Sequence, residues 1–175
     1  VDQWGDNQWA SMEAAFSHAS NVQITATDIP DLSGVTDMSA MFANATSFNS
    51  NINNWDVSNV TDMSNMFTGA TSFNQPLDQW DTSSVTDMSM MFWQAERFNQ
   101  PIGDWNVSAV LSMLNMFNEA TSFNQPLNGW DTGNVEVMHG MFRDAETFNR
   151  PLNNWDTSSV TNMGSMFLNT DSFNQ

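Results

Sequence analysis

Cysteine, tyrosine and lysine are absent from this 175-residue chain, and its fixed positive charge is three arginines. Without cysteine there is no disulfide and no thiolate metal site. Set against 20 acidic residues, the arginines leave a net charge of −17. Such a field repels nucleic-acid phosphates and anionic lipid, so neither is expected as a partner, and it draws in hard cations or basic surfaces. No run of 18 apolar residues occurs, so direct membrane insertion is not expected. The residues after Val1 show no charged-then-apolar leader pattern.

What the chain does have is a period. Met-Phe recurs at 41–42, 66–67, 91–92, 116–117, 141–142 and 166–167. Trp recurs at 55, 80, 105, 130 and 155, and a Phe-Asn pair begins at 48, 73, 98, 123, 148 and 173. Pro followed by Leu or Ile begins at 76, 101, 126 and 151, with Asn51-Ile52 in the first copy. A fixed 25-residue interval means stacked coils, each of which hides an apolar face on its neighbours. Identities between copies report what every coil needs in order to stack.

Within one coil, Val60, Met63, Phe67 and Ala70 fall at i, i+3, i+7 and i+10, the spacing of one amphipathic helical face. Ser58 and its equivalents Ser33, Ser83, Ser108 and Ser158 stand where helix N-caps would be, with Thr61-type residues as the competing choice. Asn74-Gln75-Pro76-Leu77 breaks any helix, because proline lacks a donor. Trp80-Asp81-Thr82 then reads as a short parallel strand with Trp and Thr inward and Asp outward. The expected fold is therefore an α/β, right-handed, leucine-rich-repeat-like solenoid of about six 25-residue coils, one short helix and one short strand in each. Residues 1–34 depart from the repeat around Trp4, Trp9, Met12 and Phe16 and read as an N-terminal capping coil, with 35–175 as one continuous solenoid domain. The final Phe173-Asn174-Gln175 falls part-way through a coil without a cap, which suggests a piece of a longer protein and end-to-end self-association through that coil.

The segments WASMEAAF (9–16), ITATDIPDLSGVTDMSAMF (24–42) and TFNRPLNNWDTSSVTNMGSMF (147–167) resemble the BspA-like repeat surface proteins, leucine-rich-repeat relatives found on bacterial surfaces. The resemblance spans essentially the whole chain. It implies a leucine-rich-repeat-like solenoid displayed at the cell surface or outside the cell, in adhesion or partner binding, and it implies no enzyme activity. Gly133, Glu136, Val137 and His139 in one coil, and Leu111 and Leu114 in another, depart from the family pattern.

Candidate sites follow from what repeats and what does not. The Trp and Asn columns read as scaffold, the first through burial and the second through amide bonds between coils. Asp56, Asp81, Asp131 and Asp156 should stack along one edge, where like charges repel and a calcium ion could bridge them; the alternative is that each bonds turn amides. Catalysis has no constellation to carry it: His18 and His139 are far apart in the repeat, and no phosphate loop or histidine pair exists. The off-repeat residues Met90, Trp93, Arg97, Leu111, Leu114 and His139 therefore form the candidate contact surface for a protein or glycan. The expected function is a non-catalytic extracellular binding or adhesion module, with a structural spacer as the alternative. An ice-binding face is a third reading, on Thr36, Thr61 and Thr86, but Leu111 and Glu136 interrupt that column.

Overall fold

A computed structural model describes residues 1–175. The 25-residue register is present throughout: parallel bridges join Asp37 to Asp62, Asp62 to Asp87, Asp87 to Ser112, Ser112 to Val137 and Val137 to Asn162. The coils themselves contain no helix and no strand beyond these isolated bridges. The expected α/β, leucine-rich-repeat-like architecture is therefore overturned in its local structure, and the chain is a stack of coils built from turns.

The stretch that reads as helix shows how. In residues 38–45 the amides of Met38, Ala40, Phe42 and Asn44 donate to carbonyls of the next coil (Asp62, Ser64, Met66 and Thr68). Between them, Met41, Ala43 and Ala45 donate three residues back, to Met38, Ala40 and Phe42. Ala40 and Asn44 take φ of 54° and 58°, so the segment is a run of linked β-turns in which two have the positive φ at their third residue that type II turns require. The same pair of left-handed positions recurs as Asn65 and Gly69, Met90 and Gln94, Asn115 and Glu119, Gly140 and Asp144, and Ser165 and Asn169. The Ser39 amide donates to Asp37 Oδ1, so every amide of the segment is used, half along the coil and half between coils.

The physical reason for turns rather than helices is the pitch. Phe42, Phe67, Phe92, Phe117, Phe142 and Phe167 lie in this same segment and stack nearly parallel, with ring centroids 5.5–5.7 Å apart. Neighbouring helices need roughly 8–10 Å between axes, so helices on this side would pull the rings out of contact. The apolar spacing at i, i+3, i+7 and i+10 is produced equally well by a chain of three-residue turns.

A second ladder, Phe48, Phe73, Phe98, Phe123, Phe148 and Phe173, stacks at 5.6–6.1 Å. The two ladders also meet within each coil, as at Phe42–Phe48, 3.9 Å apart. Each aromatic contact adds about 0.5–1.5 kcal/mol beyond area burial, and the ladders, the Trp column and the Met residues form one continuous core. Trp80, Trp105, Trp130 and Trp155 each donate Nε1–H to a carbonyl one coil back (Ile52, Leu77, Ile102 and Leu127, 2.8–3.1 Å). The expected strand at Trp80-Asp81-Thr82 does not form, although Trp80 and Thr82 are buried and Asp81 exposed.

The Asn column ties the edge of the stack: Asn49 Oδ1 accepts from the Asn74 amide and Gln75 Nε2, and Asn74 Oδ1 does the same for Asn99 and Gln100. Ser58 is not a helix cap; its amide and hydroxyl both donate to Asp56 Oδ1.

Residues 1–34 join the stack differently. Met12, Ala14, Phe16 and His18 donate to Asp37, Ser39, Met41 and Ala43, so residues 12–18 already follow the turn pattern. Ahead of them, Trp4 reaches across to Trp55 edge-on, with ring centroids 5.5 Å apart and an interplanar angle of 86°. Asp28 holds that segment by accepting from the amides of Trp4 and Gly5. At the other end, Leu152, Trp155, Phe167 and Phe173 are half-buried and border a hollow of about 200 Å³.

Candidate functional site

The off-repeat residues all belong to the turn-built side of the stack. Met90 occupies a left-handed position at φ 57° and is half-buried, and its amide donates to the Leu114 carbonyl of the next coil. Leu114 is half-buried, and the neighbouring Asn115 amide donates to the His139 carbonyl one coil further on. Trp93 stands where other coils carry Ala43, Thr68, Asn118, Arg143 and Leu168; it is half-buried, and its Nε1–H reaches Glu119 Oε1 at 3.3 Å. Met90, Trp93, Leu114 and His139 therefore lie in the turn segments of three successive coils. Leu111, 46% exposed, stands where the turn segment begins. Arg97 is exposed near its end and pairs with no carboxylate; the chain's ion pair is Arg143 to Asp144, at 3.0 Å on the surface.

Glu119 belongs to an arrangement that the repeat comparison missed. Its Oε2 accepts from Gln94 Nε2 at 3.0 Å while Oε1 faces Trp93. Beside it runs a groove of about 560 Å³ bordered by Glu96, Glu119, Asp144 and Glu146 without any apolar side chain. These acids come from two columns, one of them the second left-handed column, where the copies read Asn44, Gly69, Gln94, Glu119, Asp144 and Asn169. The sequence signal was there in that disagreement, but its placement beside Trp93 depends on turns rather than a helix.

The acidic column at the other edge has a local use. Asp56, Asp81, Asp131 and Asp156 accept the amides of Ser58, Ser83, Gly133 and Ser158, and Asn106 does the same for Ser108. The Ser58 hydroxyl, then its amide, hold Asp56 below the ordinary aspartate range, and Ser83 does the same for Asp81. At Asp156 the Ser158 amide leads, followed by its hydroxyl. These carboxylates stand one per coil, and no group of three or more His, Asp or Glu is placed to hold a metal ion. The geometry matches the turn-amide role that the sequence offered as the alternative to calcium.

A second concavity lies where residues 1–34 meet the first coil. It measures about 310 Å³, with Trp4 and Trp55 as its aromatic walls and Asp28, Asn51, Asn54 and Gln79 among its polar ones. Both concavities sit on a turn-built stack of 25-residue repeats. The family model described as "Mycoplasma protein of unknown function, DUF285" matches residues 10–128 and 102–175, and the chain belongs to that family. No curated protein and no solved structure matches the chain significantly.

Proposed function

We propose that the chain is a non-catalytic binding or adhesion module of a surface protein, acting outside the cell, and that the face carrying Met90, Trp93 and Leu114 meets its partner. The resemblance to BspA-like surface proteins supports this location, within the broader family to which the chain belongs. The observation that carries the reading is Trp93. A large indole stands half-buried in a column that the other coils fill with Ala43, Thr68, Asn118, Arg143 and Leu168, and it is steadied by Glu119. Aromatic anchors of this kind dominate contact energies, and a preordered one loses little entropy on binding. The acidic groove beside it favours a partner that brings basic groups to the apolar ridge.

Trp93→Ala should remove capture of the protein or glycan ligand from an array of host-surface proteins and glycans, at a cost of about 2 kcal/mol or more in binding, and leave the melting curve near that of the parent. Equal capture by parent and variant would sink this assignment. Absence of any captured ligand would favour the spacer reading.

A further inference from the structure

We propose that the cleft between Trp4 and Trp55 is a separate binding site for a neutral sugar, the terminal residue of a glycan. The site goes beyond the Trp93 face and lies on a different part of the stack.

The cleft arises from a break in the repeat. From Trp80 onward, each column Trp donates its indole N–H to the carbonyl 28 residues earlier. For Trp55 that position is Thr27, which lies in the non-repeating segment, and Trp55 makes no such bond. Trp55 is 4% exposed, yet its Nε1 is not sealed away as those of Trp4 and Trp9 are. A nearly buried indole thus borders the cleft with a donor unused, where every later coil uses it.

The lining around that donor is chemically mixed. The side-chain amides of Asn54 and Gln79 make no hydrogen bond within the chain, although both residues line the cleft. Asn51 spends its oxygen on the Asn53 amide and keeps its Nδ2 free. Asn53, 9% exposed, uses both ends of its amide, donating to Asp78 and accepting from the Gln79 backbone amide, which holds it in place. The free groups therefore offer donors and acceptors together. A polyol uses both at once, whereas a metal ion or an amine needs acceptors alone.

Charge narrows the class further. The cleft's single carboxylate, Asp28, already receives the Gly5 and Trp4 amides, which hold it ionised below the ordinary range, and no cation lines the cleft. With −17 on the whole chain, sialic acids, uronic acids and phosphates are repelled. The half-buried Ile24 gives the cleft an apolar patch, while the two indoles, 5% and 4% exposed, are almost wholly covered. The volume of about 310 Å³ sits at the small end of the ~300–1,000 Å³ typical of ligand clefts, which suits one or two sugar rings.

The test uses the full 175-residue chain on immobilised glycans ending in galactose, glucose, mannose, N-acetylglucosamine or sialic acid, followed by titration with the free sugar of any hit. The native chain should retain one or more neutral glycans and no sialylated counterpart. Asn54→Ala and Gln79→Ala, both at exposed positions, should each weaken retention about tenfold, the loss of one well-placed hydrogen bond. Their melting temperatures should not change. Trp93→Ala should leave this retention intact, which separates the cleft from the contact face. Failure to retain any neutral glycan, preference for the sialylated one, or retention unaffected by Asn54→Ala and Gln79→Ala would overturn the proposal. Loss of retention in Trp93→Ala alone would move the glycan to the other face.

Discussion

Residues 1–34 and the interior coils solve the same packing problem with different geometry. Inside the stack, rings meet face to face within about 10° because identical residues recur at identical heights. At the N-terminal end Trp4 meets Trp9, Phe16 and Trp55 edge-on, at 85°, 72° and 86°. Interior Trp side chains complete their hydrogen bonds, whereas the Nε1 atoms of Trp4 and Trp9 are buried without partners. Repetition satisfies polar atoms automatically, since each coil offers the next the same carbonyl. A rewritten coil loses that guarantee, and the loss leaves two sealed, unpaired indoles and an open cleft.

The contrast breaks first at the rings. Phe92→Ala removes a fully buried member of the interior ladder and should cost about 3–5 kcal/mol in urea denaturation. Phe16→Ala, half-buried against Phe42 at 5.5 Å, should cost roughly half as much. Equal losses would mean that the N-terminal segment is as tightly integrated as the interior.

The left-handed positions give a smaller effect with opposite signs. At Gly140, φ 62°, an added Cβ would stand 2.1 Å from Asn115 Oδ1, so Gly140→Ala should lower stability by about 1–2 kcal/mol. Ala40 already sits at φ 54° where the N-terminal segment meets the first coil. Ala40→Gly relieves about 1 kcal/mol of backbone strain against about 0.5–1 kcal/mol of added chain entropy, so thermal melting should move little or slightly upward. A large drop on Ala40→Gly would mean that its methyl packs more tightly than its half-buried position suggests.

The smallest effect concerns the carboxylates. Asp28 joins two segments, while Asp56 closes a turn within its own coil. Both sit below the ordinary aspartate value of 3.8 when folded. The unfolded chain therefore binds the proton more readily. Their contribution is complete above about pH 4 and is lost as pH falls through the lower folded value. Asp56→Asn should be nearly neutral, because Asn106 performs the same turn in its own coil, and Asp56→Ala should cost about 0.5 kcal/mol. Asp28→Asn should speed hydrogen exchange at the Trp4 and Gly5 amides, which Asp56→Asn leaves unchanged. Identical exchange in the two variants would remove the distinction between clamp and turn.

How much of this could be read without coordinates differs from residue to residue. Phe42, Phe48, Met63 and Trp80 announce their burial by recurring, and Asn74 announces its structural role the same way. Val60, Met63, Phe67 and Ala70 do not announce their backbone, because linked turns and a helix share that spacing. The hint lay in Asn44, Gly69, Asn115 and Gly140, residue types that tolerate positive φ, but Met90 and Gln94 occupy the same positions and blur it. Trp93 was legible as an exception to the repeat. Its support by Glu119, and the cleft beside Trp55, were not, since each depends on what the neighbouring coil places opposite.

The sequence alone determined the register, the buried columns and the acidic exterior, because a strict period leaves each residue type one repeated environment. Only the tertiary structure decided that the coils are turns. The choice is made by the ring-to-ring pitch, which no single coil contains: rings about 5.6 Å apart close the stack too tightly for helices, and each turn segment gives half its amides to the coil beyond.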